Sequence, residues 1–183
     1  DLSKPFNARN VVNEYTEAEL TNIFYSYGEE AMSKNIARKI VEVRKNKKIE
    51  TTTELVNINL SAVGARYFNQ KHPERQIFQA IRIEVNNELN ILRSVLPDAI
   101  DLLKTGGRIS VITFHSLEDR IVKQVFKQNS EIPDLFKGLP DIPKEYLPKI
   151  KLVNKHPLLP SDREISENTR SKSAKLRIIE RIG

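Results

Sequence analysis

The sequence predicts an α/β chain whose first half is helical and whose second half turns to a sheet. Three observations carry this. Apolar residues recur at helical spacing up to about residue 103, Gly106-Gly107 interrupts the pattern, and Arg108-Ile109-Ser110-Val111-Ile112-Thr113-Phe114 is a β-rich run leading into a further helical pattern.

In the helical half, Thr16-Glu17-Ala18-Glu19 is a capping box, in which a hydroxyl and a carboxylate three residues apart each satisfy the other's backbone N–H. Leu20, Ile23, Phe24 and Tyr27 follow at helical spacing, and Gly28 is a natural stop. Met32, Ile36, Ile40 and Val43 stripe a second helix. Its other face carries Lys34, Arg38, Lys39, Arg44, Lys45, Lys47 and Lys48, relieved by Glu42. Thr51-Thr52-Thr53-Glu54 starts a third helix through Leu55, Val56 and Ile58. His72-Pro73 opens the longest helical stretch, with Phe78, Ile81, Val85, Leu89 and Leu92 as its apolar stripe. Pro97 is expected to kink or restart it before Ala99, Ile100, Leu102 and Leu103.

In the second half, the apolar centre Val111-Ile112 reads as a strand covered on both faces. A loop at His115-Ser116-Leu117 and a helix from about Glu118 through Phe126 follow. Helix, glycine pair, strand, loop, helix is the grammar of a doubly wound sheet. Pro133, Pro140, Pro143 and Pro148 make 132–148 irregular. A short strand is expected at 151–154, a capping box at Ser161-Asp162-Arg163-Glu164, and a final strand at Lys175–Arg181.

Composition sets the outer limits. The 183 residues hold 30 Lys+Arg against 24 Asp+Glu, a net charge of +6, with 39% hydrophobic residues to build a core. The pI is near 9.5. This balance leans toward a polyanionic partner without requiring one. Zero cysteines exclude disulfides, thiolate metal sites and cysteine nucleophiles. The three histidines, at 72, 115 and 156, are scattered and each is followed by Pro or Ser, so no metal site is expected. No apolar run approaches the roughly 20 residues that cross a bilayer, and Asp1-Leu2-Ser3-Lys4-Pro5 is no secretory leader. A cytoplasmic protein is expected.

In an open α/β sheet, ligands bind beyond the carboxyl ends of the strands, which is where His115 and Ser116 fall. Two readings stand side by side. The pair lines a site, or Ser116 caps the next helix with Asp119 as its partner while His115 bonds a neighbouring loop. A serine-hydrolase triad is a poor alternative, because adjacent Ser and His in one turn do not easily face each other and no elbow glycines flank the serine. Gly106-Gly107 precedes a strand and so is no phosphate cradle. Cations gather at Lys34–Lys48, at Arg66, Lys71, Arg75 and Arg82 around His72, and at Arg170, Lys172, Lys175, Arg177 and Arg181. Each suits phosphate, or is simply a solvated face. Asn168-Thr169-Arg170-Ser171-Lys172-Ser173 adds small polar side chains that suit backbone contacts.

GGRISVITFHSLEDRIVKQVFK (106–127) resembles the signature of the RsmH family, also called MraW. HPERQIFQAIRIEVNNEL (72–89), PSDREISENTRSKSAKLRIIER (160–181) and YTEAELTNIFYSYGEEAMSKNIARKIV (15–41) are similar to further family segments, in the family's order. The resemblance implies an S-adenosyl-L-methionine-dependent methyltransferase acting on the N4 amine of a cytidine in small-subunit ribosomal RNA. It also implies a Rossmann-like methyltransferase domain with an all-helical insertion. On that reading 1–93 is the substrate-recognition insertion and 94–183 the C-terminal part of the methyltransferase domain. The chain is then a C-terminal fragment, inactive alone, with no cofactor-binding residue of its own.

The family often has Arg where Gln76 stands, with Arg75 one place earlier. The resemblance makes His115 and Ser116 candidates for lining the base pocket, and Asn168, Arg170, Lys172 and Arg75 candidates for gripping RNA. Glu118 and Asp119 are expected to brace the helix with Arg120 or Lys123, and Arg82 and Asn86 to make an interdomain contact. The expected partner is small-subunit ribosomal RNA or the assembled subunit, with no membrane. Two rival readings are a catalytically silent RNA-binding or ribosome-associated module, and a helical half that forms a homodimer or binds another protein.

Overall fold

The computed structural model describes residues 5–182. They form two compact units that divide between Glu88 and Leu89, ahead of the boundary expected at residue 93. The first unit holds α1 (Ala8–Glu14), α2 (Glu17–Ser26), α3 (Ser33–Arg44), α4 (Thr52–Val63), α5 (Ala65–Lys71) and α6 (Pro73–Asn86). Apolar periodicity does not mark α1 or α5, each only about two turns long. Val11, Leu20, Phe24, Ile36, Ile40 and Ile77 are fully buried at its centre.

Local chemistry sets the helix starts. Thr16 Oγ1 accepts the Glu19 N–H at 3.2 Å, and Glu19 accepts the Thr16 N–H at 2.7 Å. Thr51 and Glu54 repeat the exchange at 3.1 and 3.0 Å. Gly28 follows α2 for a tertiary reason: a Cβ there would lie 2.6 Å from the Phe24 carbonyl oxygen and 2.9 Å from that of Gln76 on α6.

The long helix after His72 breaks in a different place from the one expected. Asn87 takes the left-handed conformation, with φ 53°, and separates α6 from α7 (Glu88–Asp101). Pro97 lies inside α7. Asn tolerates the left-handed region, whereas Pro97 removes a single helical bond, to the carbonyl of the exposed Arg93.

The second unit continues from α7 through β1 (Arg108–Thr113), α8 (Ser116–Ser130), β2 (Ile150–Leu152), α9 (Asp162–Glu167) and β3 (Lys175–Arg181). Short 3-10 turns occupy Asp134–Phe136, Lys144–Tyr146 and Thr169–Ser173. The strand order is β1-β3-β2, with both pairings antiparallel. β1 and β2 therefore run the same way, joined by the crossover helix α8, and β3 lies between them in the opposite direction. The strand–helix grammar survives in chain direction, but among the described residues no two strands pair in parallel.

Register assigns the faces. Ile109, Val111 and Thr113 oppose Ile179, Arg177 and Lys175. That is the face toward α8, whose Asp119 bonds the last two. Arg108, Ser110 and Ile112 oppose Glu180, Ile178 and Leu176 on the other face. The expectation of a strand covered on both sides fails there, because Ile112 is 58% exposed. Gly106 donates to the Arg181 carbonyl at 2.9 Å, and Arg181 to that of Gly107 at 2.9 Å. The glycine pair thus leads the chain into β1 and extends its pairing with β3.

Candidate RNA-facing site

The end of β1 passes directly into α8, and Glu118 organises the junction. Its Oε2 accepts the backbone N–H of Phe114 at 2.9 Å and of His115 at 3.3 Å. In return the Glu118 N–H donates to His115 Nδ1 at 3.4 Å. The N-cap is therefore His115, with Glu118 as its partner. This corrects the expected cap at Ser116 with Asp119. Ser116 is instead the first residue of α8, and exposed. A Glu three residues after the cap satisfies two N–H groups at once, a geometry Asp119 cannot reach from one residue further along.

The accepting role of Nδ1 places the proton of a neutral imidazole on Nε2, an assignment read from the hydrogen bonds. Nε2 is buried, lacks an aligned hydrogen-bond partner, and lies 3.3 Å from Glu118 Oε1. The imidazole side chain is only 12% exposed. His115 and Ser116 thus stand at the carboxyl end of β1, with His115 held firmly by a structural bond.

Asp119 points under the sheet. It receives Arg177 Nε at 2.7 Å and Nη2 at 3.1 Å, and Lys175 Nζ at 3.4 Å. The Arg177 hydrogen bonds, aided by the charge of Lys175, hold its carboxyl below the usual carboxylate range against the opposing effect of burial. Asp119 braces α8 as expected, but its partners come from β3 and not from Arg120 or Lys123.

The three basic clusters separate once their partners are visible. On α3 and beyond, Arg38 pairs with Glu17, Lys39 with Glu42 and Lys47 with Glu54. Arg44 donates to the carbonyls of Val12 and Tyr15 and so ties α3 to α1. Around His72, Glu74 lies 3.3 Å from the imidazole and 4.0 Å from Arg75, whose side chain stays 78% exposed. Arg82 and Asn86, expected at an interdomain contact, both bond Glu88, at 3.0 Å each.

In the C-terminal stretch, Lys175, Arg177 and Arg181 are held by Asp119 and Asp101. Arg170 and Lys172, on the 3-10 turn, keep their side chains exposed and without a protein partner among the described residues. Asn168 caps this turn, its side-chain oxygen accepting the Arg170 N–H at 3.1 Å, so its carbonyl oxygen is engaged locally.

A fourth group of basic side chains leaves no mark as a linear cluster. Lys123 and Lys127 of α8, Lys155 and His156 after β2, and Arg177 of β3 meet around a cleft of about 430 Å³. They come from three segments, and nothing in their spacing marks them.

Nucleoside cofactors in doubly wound sheets commonly sit on a Gly-rich turn after a strand, with an acidic side chain at the ribose. The turn after β1 contains no glycine, and its carboxylate, Glu118, is bound to backbone N–H groups. That one turn is therefore not a glycine-rich nucleoside cradle. No helix among them is long and apolar enough to cross a membrane.

The sequence matches the MraW methylase family over residues 1–182. That match spans both units, the β1–α8 junction and the Arg170–Lys172 turn. It gives the arrangement a reaction class, methyl transfer, and the chain belongs to the MraW methylase family.

Proposed function

We propose that this chain serves S-adenosylmethionine-dependent methylation of the N4 amine of a cytidine in small-subunit ribosomal RNA, and that its own residues hold the RNA. The observation that carries the RNA assignment is the sorting of cations. Lys175, Arg177 and Arg181 are paired with Asp119 or Asp101, while Arg170 and Lys172, both exposed on one turn, meet no carboxylate among the described residues. Paired cations add little net attraction for phosphate, and unpaired ones release counterions on binding.

A cytosine amine is a weak nucleophile, because its lone pair is delocalised into the ring. Its base must be unstacked from the strand and oriented before it reacts. S-adenosylmethionine supplies an electrophilic methyl group on a sulfonium. The residues of this chain supply the holding of the RNA and one wall of the base pocket. His115, fixed by Glu118, and Ser116 at the first turn of α8 are assigned to that wall. Arg75, exposed on α6, is assigned a backbone contact, and Asn168 sets the shape of the turn that presents Arg170 and Lys172.

The second reading, a silent RNA-binding module, draws on the glycine-free turn after β1, whose carboxylate Glu118 is bound to backbone N–H groups. Disrupting the gene and measuring the nucleosides of small-subunit ribosomal RNA by mass spectrometry separates the two. Loss of N4-methylated cytidine supports the methyltransferase reading. Unchanged methylation, with RNA binding by the purified chain retained, overturns it in favour of the silent module.

A further inference from the structure

The cleft between α8, the segment after β2 and β3 is lined by Lys123, Lys127, Lys155, His156 and Arg177, with Glu131 as the acid in its lining. Its size, about 430 Å³, falls within the range of small-ligand sites, roughly 300–1,000 Å³. Glu131 lies 3.8 Å from Lys127. Lys123, Lys155 and the His156 imidazole make no ion pair or side-chain hydrogen bond with any described residue. Arg177 gives Nε and Nη2 to Asp119 and keeps Nη1 uncommitted.

The wall of the cleft is preorganised. Asn154 donates to the carbonyls of His156 at 2.7 Å and Leu176 at 3.1 Å, and accepts the Ile178 N–H at 2.7 Å. One side chain thereby pins the Lys155–Pro157 segment against β3. A fixed concave wall bearing unpaired ammonium groups binds an anion without first ordering itself.

We propose that this cleft is a phosphate-binding subsite for a single-stranded RNA, taking the backbone of nucleotides away from the methylated one. The phosphoryl group is the chemistry that the cleft recognises. Its assignment to an RNA strand and not to a free mononucleotide rests on the RNA reading above. Single-strand binding combines such a cationic groove with strong salt dependence. Arg170 and Lys172 form one set of contacts on this view, and Lys123 and Lys155 a second set that steers the flanking strand.

The test uses the full chain, a fluorescein-labelled single-stranded RNA of about ten nucleotides, and a salt titration of the affinity. Each lysine lost from a single-strand site lowers the slope of log affinity against log salt by about 0.7, and near 0.1 M salt this corresponds to about five-fold in affinity. Lys123→Gln with Lys155→Gln is expected to lower the slope by about 1.4 and the affinity by roughly twenty-fold. Lys123→Arg with Lys155→Arg is expected to retain both. Both lysines make no ion pair or side-chain hydrogen bond among the described residues, so circular dichroism should show an unaltered fold.

A wild-type chain that binds RNA while the Gln variant keeps the same slope overturns the subsite and leaves the RNA reading standing. Cytidine monophosphate or inorganic phosphate binding as tightly as the strand overturns the strand assignment. A wild-type chain that binds no RNA at low salt overturns both.

Discussion

Asp119 on α8 and Arg177 on β3 face each other through two hydrogen bonds of 2.7 and 3.1 Å, with both side chains nearly enclosed at 12% and 11% exposure. Fifty-eight residues separate them in sequence, so the pair fastens the crossover helix to the strand it covers. Asp119→Asn leaves Arg177 enclosed without its counter-charge, which in buried pairs is strongly destabilising. Urea unfolding at pH 7 should show a loss of about 3–5 kcal/mol. Because the folded-state pKa of Asp119 is depressed, its contribution is fully present above the ordinary carboxyl value of about 3.9 and is lost as pH falls through the lower folded value. The variant should therefore lose less stability than wild type on acidification. An equally steep acid limb in both would remove Asp119 as its source.

The alkaline limb has a different origin. Tyr15 donates to Glu84 at 2.6 Å and Tyr67 to the buried Glu30 at 2.6 Å. Burial, then the adjoining carboxylate, pushes each hydroxyl up to about 12. A raised folded value stabilises below the unfolded pKa of about 10 and is lost as pH climbs toward 12. Tyr67→Phe should cost about 1.5–3 kcal/mol at pH 7, the usual worth of a hydrogen bond to a charged group. The double variant with Tyr15→Phe should show a flatter decline above pH 10 in thermal unfolding.

Gly28→Ala tests the approach of α2 to α6. The added methyl meets two backbone carbonyl oxygens at 2.6 and 2.9 Å, which no side-chain rotation relieves. Overpacking of this kind costs about 1–3 kcal/mol, measurable as a lower urea midpoint with an unchanged slope.

His115 carries two separable roles, helix cap and pocket wall. His115→Ala should reduce stability by about 1 kcal/mol through the lost cap, while His115→Asn restores a good cap and most of that stability. Methylation in a complemented gene-disruption strain should fall with both variants. Full activity of His115→Asn would leave His115 a cap alone.

The Arg170 side chain makes no hydrogen bond or ion pair among the described residues. Arg170→Ala should leave unfolding unchanged, weaken RNA binding, and reduce the salt slope by about 0.7–1. An undiminished slope would return the 169–173 turn to a purely structural role.

The fold was legible wherever its cause is local. The capping boxes at Thr16, Thr51 and Ser161 need two residues three apart, and all three start helices. β3 occupies the expected Lys175–Arg181, because alternation over seven residues is a local signal too. The site was less legible. A histidine cap one residue ahead of a serine reverses the usual preference, and it was settled by where Glu118 meets the end of β1. The break at Asn87 in place of Pro97 follows the same pattern, since a left-handed Asn leaves no mark on periodicity.

By itself, then, the sequence determined the helix starts at Thr16, Thr51 and Ser161, the final strand, the absence of thiol chemistry and the family signatures, all of which are written in neighbouring residues or runs. Tertiary structure alone decided which cations are spent and which remain. Lys175 and Arg177 are drawn inward by an aspartate from α8, whereas Arg170 and Lys172, a few residues earlier, find no carboxylate within reach. The reason is physical: a charge's availability depends on what lies within a few ångströms, and chain order does not record that.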